Sequence, residues 1–208
     1  MALTRFLVLV YRMPARPTGA RVAVWRNLKK VGAVYLQQSV CVFPDTVRMR
    51  RDLQPLLVRI RDSGGGYHLL PLRSLPASEH EKVVTEFREQ SAKRFQEIIE
   101  NCEVNFQKEI EFETFRENFT YEEAEEERIE FEKIVAWFKA VSERDWFGAP
   151  KREEAQMWIT RCEKLLEAFE ERVFRAQSEA GESTPRRRSS LRWRPSAKVQ
   201  SEHTVGEK

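Results

Sequence analysis

This chain is poor in the residues that usually carry chemistry. Its 208 residues include three cysteines and three histidines. Cys41, Cys102 and Cys162 are far apart, odd in number, and form neither a CxxC pair nor a cysteine–histidine cluster. That excludes a disulfide framework or a zinc knuckle and fits buried free thiols in a reducing cytoplasm. His68, His80 and His203 show no ligand spacing. Long apolar runs are also missing. The longest near the start, Phe6 to Tyr11, is closed off by Arg5 and Arg12. It falls short of the roughly 7–15 apolar residues of a signal peptide and far short of a membrane span. The expectation is a cytoplasmic protein without membrane, cofactor or resident metal. Acid is scarce at the start as well, because no carboxylate precedes Asp45.

What the chain does have is charge, unevenly spread. Residues 1–75 carry thirteen Lys/Arg against three Asp, whereas residues 76–180 carry sixteen basic against twenty-seven acidic residues. The last 28 residues carry seven basic and three acidic ones. The small net charge of +3 therefore hides a basic block, an acidic block and a basic tail. Such polarity calls either for a polyanionic partner or for two blocks that neutralise each other. With 41% hydrophobic residues the chain can still bury a real core.

Pattern divides residues 3–75 into alternating elements. Phe6–Tyr11 is a strand-length apolar run that reads as buried on both faces, ended by Pro14 and Pro17. Thr18 is a fitting N-cap for a helix from about Gly19 to Val31, with Gly32 as its C-terminal stop. Val22, Trp25, Leu28 and Val31 share one face of it. Strand formers follow from Val34 to Phe43, broken by Gln37-Gln38-Ser39, where a bend divides them. A second helix covers about Thr46–Asp62, with Leu53, Leu56, Leu57 and Ile60 as its apolar stripe and Pro55 inside it, so that it could also begin near Asp52. After Ser63–Gly66, Tyr67–Leu72 reads as the last strand. The order β-α-β-β-α-β predicts an α+β fold with a ferredoxin-like sheet and both helices on one face. The other face then needs the rest of the chain, or a second copy in a homodimer, to cover it.

Residues 76–180 read as long helices. Ser78–Glu81 and Thr120–Glu123 have the form of capping boxes. Val84, Phe87, Phe95, Ile98, Cys102, Phe106 and Ile110 predict one long helix from Ser78 to near Arg116. Phe131, Ile134, Phe138 and Val141 predict another, to about Arg144. After a turn at Asp145–Pro150, Ala155, Trp158, Cys162, Leu165, Phe169 and Val173 predict a third, over about 151–177. Residues 181–208 lose all periodicity and read as a disordered basic tail, whose Arg186–Arg194 stretch would add sequence-blind affinity for nucleic acid.

Three stretches in the first block carry a resemblance: Leu7-Val-Leu-Val-Tyr-Arg-Met-Pro14, Arg21-Val-Ala-Val-Trp-Arg26 and Gly32-Ala-Val-Tyr-Leu-Gln-Gln-Ser-Val-Cys-Val-Phe-Pro44. With Glu117-Asn-Phe-Thr-Tyr121 and Arg144-Asp-Trp-Phe-Gly-Ala-Pro150, they make residues 3–176 resemble the N-terminal domain of ChrB, a bacterial chromate-resistance regulator. The resemblance implies a cytoplasmic, non-enzymatic protein in transcriptional control of a chromate efflux operon. Full ChrB proteins carry a further C-terminal domain, where this chain has its short basic tail, and chromate sensing that belongs to that domain is not implied here. The first 75 residues are also similar to the Cas2-like domain of PaaX-type repressors and to Cas2 itself. That likeness raises metal-dependent nuclease activity, but the place of the metal-holding Asp is taken by Arg12, and cations need oxygen donors.

The candidate DNA-contacting residues are Arg21, Arg26, Lys29 and Lys30 on the first helix and Arg48, Arg50 and Arg51 on the second. The same cations could hold chromate or another oxyanion, or pair with the acidic helices of their own chain. The resemblance tips the reading toward DNA, while no helix-turn-helix spacing supports base readout. The alternative is a dimeric interaction module with no DNA affinity. Trp25 and Trp158 lie on apolar stripes, and the three cysteines on apolar helix or strand positions, so core packing is expected for all five. The acidic run from Glu122 to Glu130 reads as a solvated helix face.

Overall fold

The computed structural model describes residues 5–16 and 18–182. The expected tail from 183 onward lies outside the described residues, as do residues 3 and 4 of the first block. The elements run β1 (Phe6–Arg12), α1 (Thr18–Lys30), β2 (Val34–Gln37), β3 (Val40–Pro44), α2 (Val47–Asp62) and β4 (Gly66–Leu72). The strands form one antiparallel sheet in the order β2-β3-β1-β4, the ferredoxin-like arrangement. In β1, Leu7, Leu9 and Tyr11 face the two helices, joined by Cys41 and Phe43 of β3 and by Leu28, Leu53, Leu57 and Ile60. Phe6 and Val8 face the opposite side. Cys41, on the helix-facing side, is fully buried, and burial pushes its thiol up to about 12, so it serves as a small apolar residue.

The end of α1 shows how sequence fixes a boundary. Gly32 has φ +91°, and its N–H donates to the Lys29 carbonyl while Ala33 N–H reaches back to Leu28. This is a Schellman closure, which needs a left-handed residue after the cap. Thr18 is already the first helical residue. The apolar face of α1 is not the expected one. Val24 and Leu28 are buried, whereas Val22 and Trp25 are exposed, Trp25 by 46%. Leu28 and Val31 face the core as expected, and Val24 completes that face in place of Val22 and Trp25. Helix α2 starts at Val47 with Thr46 as its cap, accepting from Met49 N–H, and tolerates Pro55 inside it.

The second region contains α3 (Ala77–Glu100), a π-helical segment (Asn101–Phe106), α4 (Gln107–Phe115), α5 (Tyr121–Ser142) and α6 (Arg152–Glu182). The apolar positions Ile98, Cys102, Phe106 and Ile110 step by four each time. Three such steps overrun three α turns by about one residue. The π segment absorbs that residue and keeps all four side chains buried on one face. Ser78 is not a cap, because α3 begins at Ala77 behind Pro76 and no side-chain cap bond forms. Thr120 does cap α5, accepting from Glu123 N–H, but the Glu123 carboxylate receives the Asn118 amide instead of closing the box. Helix α6 extends past the expected end at 177 to Glu182. Cys102 and Cys162 are both fully buried in this core, and contact with Cys102 together with burial pushes the Cys162 thiol up.

Residues 144–149 join the two regions. The Arg144 guanidinium donates to the carbonyls of Lys30 and Ala140, tying the end of α1 to the end of α5. Trp146 packs against the sheet–helix core, Phe147 against the opposite face of the sheet, and Ala149 against the helical core. Asp145 accepts from Ala149 N–H and pairs with Arg152. The first turns of α3 then cover the second sheet face in part, with Val83 and Phe87 on Phe6, Val34 and Val42. Leu70, opposite Val8 in the register, remains 48% exposed.

Candidate anion and nucleic-acid interface

The carboxyl end of β1, the β2–β3 turn and the first half of α1 enclose a cavity of about 510 Å³. It is lined by Tyr11, Arg12 and Met13, by Arg21, Val22 and Trp25, and by Tyr35, Gln38 and Ser39. Backbone geometry sets these walls. Tyr11 N–H donates to the Ser39 carbonyl at 3.0 Å, and Ser39 takes φ +65° to make the tight turn. Behind Arg12, Gly65 leaves room that no other residue could. A Cβ there would stand 2.5 Å from the Arg12 carbonyl oxygen and 2.8 Å from that of Ile60. The Gly-rich loop is thus a close approach of α2 to β1 as well as a turn.

On the cavity floor the Tyr11 and Tyr35 hydroxyls hydrogen-bond each other at 3.1 Å. Burial is the main cause that pushes both phenols up, so both stay neutral. The Lys29 ammonium sits 5.6 Å from the Trp25 ring centroid and 6.0 Å from that of Tyr35, a cation–π arrangement at the cavity margin. No carboxylate lines the cavity. The end of β1, where a Cas2-type protein carries its metal-holding carboxylate, holds the exposed Arg12.

The seven candidate cations fall into two groups. On α2, Arg48 pairs with Glu143 at 2.7 Å and with Asp52 at 3.6 Å. Arg50 grips Asp45 through two bonds of 2.6 and 2.8 Å, and Arg51 lies 3.5 Å from Asp52. On α1, Arg21, Arg26, Lys29 and Lys30 are all exposed, and none forms an ion pair with a carboxylate of the described residues. Internal ion pairing therefore describes Arg48, Arg50 and Arg51 and none of the four α1 candidates, of which Lys29 borders a groove that Glu86, Glu89 and Glu97 of α3 also line. Trp25, expected in the core, belongs to this surface instead. Its company, Arg21 and Arg26 on the same helix, was the available sequence signal.

The acidic run of α5 also departs from expectation at one residue. Glu127 is 6% exposed and lies beside Glu109 and Glu130 in a second cavity. Burial is the main reason its carboxyl is pushed up to about 7, with Glu109, Glu123, Glu113 and Glu130 adding repulsion. Among the described residues no group of histidine, cysteine or acidic side chains is arranged to hold a metal ion, and no helix is long and apolar enough to cross a membrane.

Comparison with known families matches residues 21–180 to the family described as Protein ChrB, N-terminal. This chain belongs to that family. ChrB N-terminal membership associates the protein with chromate resistance. The match opens inside α1, so the β1 residues of the cavity precede it, and it covers the helical region up to residue 180, near the end of α6. No curated protein and no solved structure matches the chain.

Proposed function

We propose that this ChrB-type protein acts as a non-enzymatic regulator that contacts DNA through the unpaired cations of α1. The observation that carries the reading is the contrast between the two helices. Among the described residues Arg26, Lys29 and Lys30 stand exposed and form no ion pair with a carboxylate, while Arg48, Arg50 and Arg51 of α2 are each paired within the chain. An unpaired cation gains the full benefit of displacing counterions from a phosphate backbone, whereas a paired one must first give up its carboxylate. The contact is electrostatic, in keeping with a sequence that shows no helix-turn-helix spacing. The half-covered second face of the sheet around Leu70 supports assembly as a homodimer. Light scattering at twice the monomer mass is the expected result, and a strict monomer would remove that element.

Gel retention of genomic fragments around chromate-resistance promoters, with and without chromate, tests the reading. Retention that weakens as salt rises is expected. The same incubations with magnesium or manganese should leave plasmid DNA uncut, since Arg12 stands where a metal-binding carboxylate would be needed. Cleavage that persists through purification and is abolished by Asp45→Asn would overturn the non-enzymatic assignment.

A further inference from the structure

The duplex reading leaves the cavity beside α1 without a role, although Lys29 stands at the border of both surfaces. From its lining we infer that this cavity is a binding site for a nucleobase together with its own phosphate, either as a free mononucleotide or as an unpaired base within a single strand. The inference does not depend on duplex binding. Its volume of about 510 Å³ falls in the range of roughly 300–1,000 Å³ typical of small-molecule sites. Three aromatic rings line it, and the indole of Trp25 is 46% exposed although the helix core has room only for Val24 and Leu28. A large ring left open beside a cavity offers a stacking surface for another flat ring.

The charge selects the rest of the ligand. Arg12 and Arg21 both line the cavity, both are exposed, and neither forms an ion pair with a described carboxylate. Lys29 adds a third cation against the Trp25 ring. With no acid on any wall, the site excludes cations and favours an anion. Guanidinium groups present paired N–H donors that match phosphate oxygens. The remaining lining mixes two apolar side chains, Met13 and Val22, with the two tyrosine hydroxyls, the Gln38 amide and the Ser39 hydroxyl. A hydrocarbon ring would leave those groups unpaired, whereas a base edge offers them ring nitrogens and exocyclic groups. A bare tetrahedral oxyanion would use the arginines and leave the aromatic walls idle. A base inside a duplex cannot reach Trp25 without leaving its stack.

Calorimetry on the full chain with AMP and CMP, ribose 5-phosphate, adenosine, inorganic phosphate and a twelve-residue oligothymidylate tests this. The mononucleotides should bind about tenfold or more tightly than ribose 5-phosphate or inorganic phosphate, the gain that one base–aromatic stack supplies. Trp25→Ala should remove that gain, while Trp25→Phe should keep most of it. Arg12→Ala with Arg21→Ala should bring the mononucleotide down to the level of adenosine. Trp25 is half exposed, so its variants should melt close to the parent, and a shift in nucleotide affinity then reports on stacking. Tighter binding of the oligothymidylate than of a mononucleotide would assign the site to single strands, and the reverse to free nucleotides. Equal affinity for inorganic phosphate and nucleotide, affinity unchanged by Trp25→Ala, or no binding of any probe at millimolar concentration would overturn the proposal. Duplex retention measured on Trp25→Ala separates the two readings, because it should persist whether or not the cavity takes a base.

Discussion

Replacing Trp146 by alanine should lower stability by about 3 kcal/mol, near the lower end for removing a large aromatic from a core. For a chain of this length that corresponds to a fall in melting temperature of roughly 6–12 °C. The size follows from position. Trp146 packs against the sheet–helix core, Phe147 against the far side of the sheet, and Ala149 against the helical core. Removing the indole loosens the join between two regions that otherwise touch mainly through the first turns of α3. The indole Nε1 is closed off from solvent and donates to no acceptor among the described residues. Trp146→Phe should therefore forfeit no hydrogen bond and cost less than about 1.5 kcal/mol, as a shape change does. Thermal unfolding of both variants checks this, and equal losses from the two would show that the join rests on something other than ring packing.

The second large effect is a pH dependence centred on Glu127. Its carboxyl is pushed from an ordinary value near 4.5 to about 7, first by burial and then by Glu109, Glu123, Glu113 and Glu130. Lys108 lines the same cavity without relieving it. The folded protein thus holds a proton there that the unfolded chain has lost. Between pH 4.5 and pH 7 this group makes stability fall as pH rises, and above pH 7 its cost is fully present and constant. The displacement corresponds to up to about 3 kcal/mol. Glu127→Gln should raise the melting temperature at pH 8 and leave it nearly unchanged at pH 4.5. An equal effect at both pH values would mean that the gain comes from something other than the buried charge.

Much of the fold was legible because pattern and burial coincide. The βαββαβ order followed from short runs of apolar strand formers giving way to helical stripes, and Leu53, Leu56, Leu57 and Ile60 lie buried as their spacing requires. The π segment was not legible as such, although the repeated four-residue step from Ile98 to Ile110 encodes it. Helix α1 misled because Val22, Val24, Trp25 and Leu28 allow two overlapping apolar faces, and only the sheet decides between them. That choice mattered most for function, since it turned Trp25 from a core residue into a cavity wall. Ser78 failed as a cap because Pro76 already fixes the backbone before Ala77. Among the acidic residues of α5, Glu127 stands four residues before Phe131 and seven before Ile134, so the apolar stripe already placed it inward, while its meeting with Glu109 and Glu113 is tertiary and had no sequence signal.

The division between an unpaired α1 and a paired α2 is tested most directly by the salt dependence of duplex DNA binding. Each phosphate neutralised contributes about −0.9 to the slope of log K against log salt. Replacing Arg26, Lys29 and Lys30 by alanine should flatten the slope by up to about 3 and leave the melting temperature near that of the parent. Replacing Arg48, Arg50 and Arg51 should change the slope much less, because each guanidinium already has a carboxylate beside it. An unchanged slope for the α1 variant, or an equal flattening for both, would contradict the account.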